Sequence, residues 1–132
     1  MIKTNFILYV SDQARSTAFY TQVLNMAPTL NVPGMTEFTL ADHCILGLMP
    51  EAGIKRLLGE RLPDPATSQV PRAEVYLMVA EPAAYHRRAL AAGAIELSEL
   101  KDRDWGQRAA YSLDPDGHVL AFAEPITEEV KS

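Results

Sequence analysis

The chain has 132 residues, 48% of them hydrophobic and 22% charged, with 17 acidic against 12 basic residues for a net charge of -5. This composition excludes a disordered chain, since there is enough apolar surface to offset chain entropy, and it excludes nucleic acid as a partner, since no Lys/Arg cluster exists to displace phosphate counterions. No apolar run nears the ~20 residues that span a bilayer, the N-terminus has no signal-peptide cleavage site, and a single Cys forms no internal disulfide, so a cytoplasmic protein with no membrane partner is expected.

Asn5 to Val10 reads as a strand, with Phe6, Leu8 and Val10 on one face and Asn5, Ile7 and Tyr9 on the other. Ser11 or Asp12 then caps a helix running to about Asn25, whose apolar stripe is expected at Ala14, Ala18, Phe19, Val23 and Leu24. Pro28–Val32 and Met35–Leu40 form two strands around a Pro33-Gly34 turn, and Cys44–Met49 forms another after the turn at Ala41-Asp42-His43. Residues 50 to 72 hold four prolines and two glycines, and read as a surface linker that covers a site, with a short helical turn at Ile54–Leu58.

The order then begins again. Ala73–Ala80 is a strand, Pro82 opens a helix that Gly93 closes, and Tyr85, Ala89, Leu90 and Ala92 give that helix an apolar face. Ile95–Ser98 is a short strand; Ala109–Leu113 and His118–Glu124 form a hairpin around Asp114-Pro115-Asp116-Gly117, a sequence with the residues such a turn needs. An internal repeat of strand, helix and three strands follows. An offset of 69 lays Asn5 on Glu74, and an offset of 74 lays Gly47 on Ala121. Each half is too small to bury a core well alone. Phe6, Leu8, Phe19, Val75, Leu77, Leu120 and Phe122 are expected under the helices.

The sequence holds no Ser-His-Asp arrangement, phosphate-binding Gly loop or Cys cluster. His43, His86 and His118 share no obvious locus and read as surface histidines, and Cys44 reads as a core thiol. The stretches 99–104 and Glu128-Glu129 read as a solvated loop and a solvated tail, and Arg87-Arg88 as a wet helix face.

Two segments carry a family resemblance: FILYVSDQARSTAFYTQVLNM (6–26) and WGQRAAYSLDPDGHVLAFAEP (105–125). With the repeated strand-helix-three-strand order, they resemble the vicinal oxygen chelate superfamily, which includes glyoxalase I, bleomycin-resistance proteins, fosfomycin-resistance enzymes and extradiol dioxygenases. The resemblance implies an α+β fold in which two βαβββ modules pair into curled mixed sheets around a central cleft, with helices on the outer faces. Here residues 1–50 would be module one, 51–72 a linker and 73–127 module two of a single domain. In metal-dependent members, four strands supply the ligands of one metal, and those positions fall on Asn5, Gly47, Glu74 and Ala121. Only Glu74 carries a good ligand for a transition metal, and Asn5 offers an amide, so no metal and no cofactor is expected.

With the metal set aside, cleft-facing parity falls on Asn5, Ile7, Tyr9, Ile45, Met49, Glu74, Tyr76, Met78, Val119 and Ala123, with Trp105, Arg108 and Tyr111 near the mouth. Gly47 and Ala121 are expected to leave room at its centre. The ligand-binding set is thus Asn5, Ile7, Tyr9, Met49, Glu74, Tyr76, Trp105, Arg108 and Tyr111: apolar walls with few polar anchors, as small-molecule sites have. The expected function is a small-molecule-binding protein resembling the bleomycin-resistance branch, holding a drug-like or metabolite ligand without bond chemistry. The alternatives are a lyase or dioxygenase with a divergent metal site, and a protein whose cleft is filled and whose partners are proteins. Family members commonly pair, so a homodimer is expected.

Overall fold

A computed structural model describes residues 1–67 and 70–126. The last residue of the expected second module, 127, and the Glu128-Glu129 pair lie outside the described residues. The chain divides into two compact units, Met1–Gln69 and Val70–Ser132. In the first, strand β1 (Thr4–Val10) is followed by helix α1 (Gln13–Leu24), strands β2 (Leu30–Val32), β3 (Met35–Ala41) and β4 (Cys44–Pro50), and helix α2 (Glu51–Leu58). In the second, β5 (Glu74–Met78) is followed by α3 (Pro82–Ala91), β6 (Ile95–Asp102), β7 (Gln107–Leu113) and β8 (Val119–Pro125). The fold is α+β, with two βαβββ modules. Each builds a four-stranded mixed sheet of the same topology, β1-β4-β3-β2 and β5-β8-β7-β6, in which the module's first strand runs parallel to its last. No helix among the described residues is long and apolar enough to cross a membrane.

Local chemistry sets the element ends. The Asp12 carboxylate accepts the Arg15 N–H at 3.0 Å and caps α1, and Asn25 closes the helix at φ 54°, a left-handed conformation that Asn tolerates. The Asp114 carboxylate accepts the N–H groups of Asp116 and His118, both at 2.9 Å, and also meets the His118 ring Nδ1 at 2.9 Å. His118 is therefore part of the turn.

In the first unit, Leu8, Val10, Phe38, Leu46 and Leu48 are buried on the α1 side of the sheet. They meet Phe19, Tyr20, Val23 and Leu24 from α1, with the rings of Tyr20 and Phe38 6.4 Å apart. The buried stripe of α1 is Ser16, Phe19, Tyr20, Val23 and Leu24, a clean i, i+3, i+4, i+7, i+8 series. Ala14 and Ala18, expected in it, are exposed: they are apolar but out of phase, and a serine and a tyrosine hold the phase instead. Phe6 is a further correction. It is 62% exposed, because β1 is an edge strand and α1 packs over β3 and β4, leaving the start of β1 uncovered.

In the second unit, Ala110, Ser112, Leu120 and Phe122 are fully buried and Val75 and Leu77 half-buried. Tyr85 of α3 packs on Phe122 at 5.2 Å between centroids. His86 is not a surface residue: α3 buries it, and its Nε2 lies 2.8 Å from the Glu96 carboxylate on β6. Strand β6 runs four residues past the expected Ser98, so much of the stretch read as a solvated loop is strand. Residues 51–58 form a full helix that buries Ile54 and packs on β1 and β4, which corrects the linker reading there. Cys44 is half-buried at the start of β4.

Candidate functional site

Strand registers place the open face of each sheet, the side away from α1 or α3. In the first unit Ile7 pairs with Gly47, which pairs with Glu37. In the second, Tyr76 pairs with Ala121, which pairs with Tyr111. The offsets are 69 for the first strand and 74 for the last two, so the two faces correspond residue by residue. Asn5, Ile7, Tyr9, Met35, Glu37 and Met49 share the first face; Glu74, Tyr76, Met78, Ala109, Tyr111 and Ala121 share the second.

Neither Gly47 nor Ala121 opens a central space. A Cβ on Gly47 would stand 3.2 Å from Ile7 Cγ1 and 3.4 Å from Met35 Sδ, so those side chains already lie over it. Ala121 is fully buried, as are Ala109 and Ala123. Their smallness lets Tyr76 lean across β8, where its hydroxyl donates to Gln107 Oε1 of β7 at 2.5 Å. The indole N–H of Trp105 donates to the same hydroxyl at 3.1 Å. Tyr76 is thus held from two sides.

Trp105, in the turn before β7, is 53% exposed and joins this cluster. Tyr111 sits across β8 from Tyr76, with the Arg103 guanidinium carbon 5.1 Å from its ring centroid. Burial, then the neighbouring Glu74 and Tyr76, push the Tyr111 phenol above its ordinary value, with Arg103 working against them. Tyr111 is therefore a neutral hydroxyl near pH 7.

The structure gathers Glu74, Tyr76, Trp105 and Tyr111 on the second sheet, and Asn5, Ile7, Tyr9 and Met49 on the first, where the Asn5 amide donates to Glu37 at 3.4 Å. It does not bring Arg108 to them. Arg108 has the opposite parity, pairs with Glu124 across the strands, and gives its guanidinium to Asp102 at 2.9 Å and Glu124 at 3.3 Å. These two carboxylates, Asp102 first, push its pKa above the ordinary value. Among the open-face residues that sequence reasoning missed are Glu37, Gln107 and Arg103. Glu37 and Gln107 were readable from strand parity, since they alternate with Thr36 and Arg108. Arg103 was not, because its reach depends on the turn after β6.

The residues at the family's metal positions do not fit a metal. Gly47 and Ala121 have no side-chain donor, and Asn5, whose amide nitrogen donates to Glu37, offers only a neutral amide oxygen. Among the described residues no group of three or more His, Cys, Asp or Glu side chains could hold an ion.

The sequence profile of the Glyoxalase/Bleomycin resistance protein/Dioxygenase superfamily matches residues 4–122. An uncharacterized protein of Mycobacterium bovis is 27% identical over 126 residues, covering 92% of this chain and 82% of its own length. Among solved structures, a glyoxalase-related enzyme from Fulvimarina pelagi superposes with a TM-score of 0.78 at 22% identity, covering 92% of this chain and 86% of that one. A glyoxalase/bleomycin resistance protein/dioxygenase family enzyme from Burkholderia phytofirmans does so at 0.79 and 17%, covering 92% and 97%. These likenesses agree with the repeated βαβββ register. This chain belongs to the glyoxalase/bleomycin resistance protein/dioxygenase superfamily.

Proposed function

We propose that this protein binds a small, partly aromatic molecule on the open faces of its sheets, without metal chemistry, as a relative of the bleomycin-resistance branch. The reading rests on apolar side chains left in solvent where a sheet would otherwise bury them. Ile7 is 43% exposed, Tyr9 37%, Met78 47% and Trp105 53%, beside the carboxylates of Glu37 and Glu74. Apolar surface with a few polar groups suits ligand contact. Glu74, exposed and on the same face as two tyrosines, suits a ligand amine or hydroxyl, because charge-assisted hydrogen bonds are the stronger kind. The absence of any side-chain donor at Gly47 and Ala121, with only a neutral amide at Asn5, argues against lyase or dioxygenase chemistry through that site.

Native mass spectrometry and elemental analysis of the purified protein test this. A retained organic molecule and no stoichiometric Zn, Ni, Fe or Mn are expected, and a chelator should leave the Tm unchanged. One equivalent of metal bound through Glu74 would overturn the reading in favour of an enzyme. The protein is also expected to act as a homodimer, with Phe6 in exposed surface available to a second copy. A monomeric mass by light scattering at micromolar concentration would count against that.

A further inference from the structure

Arg103 follows the last residue of β6, and its side chain returns over the open face of the second sheet. Nε donates to the Ala109 carbonyl at 3.2 Å; Nη2 donates to the same carbonyl at 2.8 Å, to Ser98 Oγ at 2.8 Å and to the Glu99 carbonyl at 3.1 Å. Every one of these acceptors is uncharged. Nη1 donates to nothing, and no carboxylate pairs with Arg103 among the described residues. The contrast with Arg108, five residues on, is direct: that guanidinium is shared between two carboxylates.

A structural arginine in a chain with 17 acidic residues can readily find a carboxylate. Arg103 is instead held by hydrogen bonds to three neutral acceptors, and among the described residues no carboxylate pairs with it and Nη1 has no acceptor. The guanidinium carbon lies 5.1 Å from the centroid of the Tyr111 ring, and the Tyr111 hydroxyl has no hydrogen-bond partner among the described residues. Two unused donors, one of them cationic, therefore sit together on the face that carries Tyr76 and Trp105.

We propose that Arg103 and Tyr111 form an anion site that takes the carboxylate of a small molecule whose apolar body lies along Tyr76 and Trp105. The inference rests on the small-molecule reading above and adds the chemistry of one end of the ligand. A carboxylate accepts from Arg103 Nη1 and from the Tyr111 hydroxyl together, the charge-assisted geometry that a planar guanidinium favours. Because four bonds already hold the guanidinium, little side-chain freedom is lost on binding. Glu74 lies on the same face, one residue pair along the strands from Tyr76. Its charge repels an anion and so sets the direction in which the ligand lies, with the carboxylate toward Arg103 and any donor group toward Glu74.

Three probes that share one ring and differ in charge separate the possibilities: 2-naphthoate, 2-naphthamide and 2-naphthylmethylamine, titrated into the full chain. The readout is the indole N–H signal of Trp105, the chain's one tryptophan, in a ¹H–¹⁵N correlation spectrum. Naphthoate is expected to bind about tenfold more tightly than naphthamide, as an added charged hydrogen bond supplies. Arg103→Gln should abolish that preference while leaving naphthamide binding in place, and Tyr111→Phe should reduce it. If Arg103→Gln lowers the Tm sharply, Arg103→Lys, which keeps the charge but loses the fork, should retain part of the preference. Equal binding of all three probes overturns the anion site and leaves the small-molecule reading standing. Failure of every probe to move the Trp105 signal overturns both. Tightest binding of the amine, lost in Glu74→Gln, overturns the anion site in favour of a cation site.

Discussion

The two open faces share one backbone plan and close their centres with different chemistry. In the first sheet, the small residue on the module's last strand is Gly47, and aliphatic and thioether atoms of Ile7 and Met35 lie over it. In the second, the matching residue is Ala121, and Tyr76 leans across its strand through a hydroxyl bonded to Gln107 and Trp105. The first closure is packing alone, indifferent to anything but shape. The second is built from oriented polar groups and, among the described residues, leaves the Tyr111 hydroxyl and Arg103 Nη1 without an acceptor. The lesson is that a duplicated fold can lose its donors at corresponding positions in both halves and still leave them unequal. In this chain, the hydroxyl, indole and guanidinium groups gather on the second sheet, while aliphatic and thioether atoms cover the centre of the first.

The helix-backed sides should behave alike, and that equivalence is the largest effect to test. Leu48→Ala in the first sheet and Phe122→Ala in the second each remove a fully buried side chain, and each should cost about 2–5 kcal/mol in urea unfolding. Phe6→Ala, on a mostly exposed residue, should cost far less. A large loss from Phe6→Ala in dilute monomer would break the assignment of that residue to free surface.

The closed centre of the first face gives the next effect. Gly47→Val places methyl groups where Ile7 Cγ1 would stand 3.2 Å from the new Cβ, and overpacking of this kind should cost about 1–3 kcal/mol. Ile7→Ala in the same chain should recover part of that loss, and a double-mutant cycle measures the coupling. Zero coupling would mean that Gly47 is open after all. On the second face, Tyr76→Phe keeps the ring over the alanines and removes only its hydroxyl bonds, so its cost should be about 1 kcal/mol or less. It should also shift the Trp105 indole N–H signal, while no change in the first face accompanies it.

Much of this arrangement was legible in the sequence, because strand parity and turn chemistry are local. The period of two put Glu74, Tyr76 and Met78 on one face, and Asp114 to Gly117 marked its turn without help from the rest of the chain. Parity would also have removed Arg108 from the set, since it is three residues from Tyr111; its place in a family motif outweighed the count. What stayed hidden depended on three-dimensional reach. Ser16 and Tyr20 rather than Ala14 and Ala18 fill the α1 stripe, because phase and not apolar character decides burial. His86 is buried because α3 turns it toward Glu96. The room expected over Gly47 is taken by Ile7 and Met35, neighbours that sequence alone could place on its face but not over its Cα.

The smallest effect sharpens the comparison most narrowly, because its equivalent position in the first sheet, Glu37, cannot produce it. Burial first, then Glu74 and Tyr76, raise the Tyr111 pKa above the ordinary phenol value of 10.0. A phenol that ionises later in the folded chain than in the unfolded one contributes stability that is fully present below pH 10.0. That contribution is lost as pH rises through the ordinary value toward the higher folded one, because the unfolded state releases its proton first. Stability measured by urea unfolding should therefore fall on the alkaline side of pH 10, and Tyr111→Phe should flatten that fall while leaving the neutral region alone. Glu74→Gln removes one of the groups raising the phenol and should shrink the same alkaline loss. Arg103→Gln removes the opposing charge and should enlarge it. An alkaline profile that Tyr111→Phe leaves unchanged would separate Tyr111 from the Glu74 and Arg103 charges and dissolve the cluster on the second face.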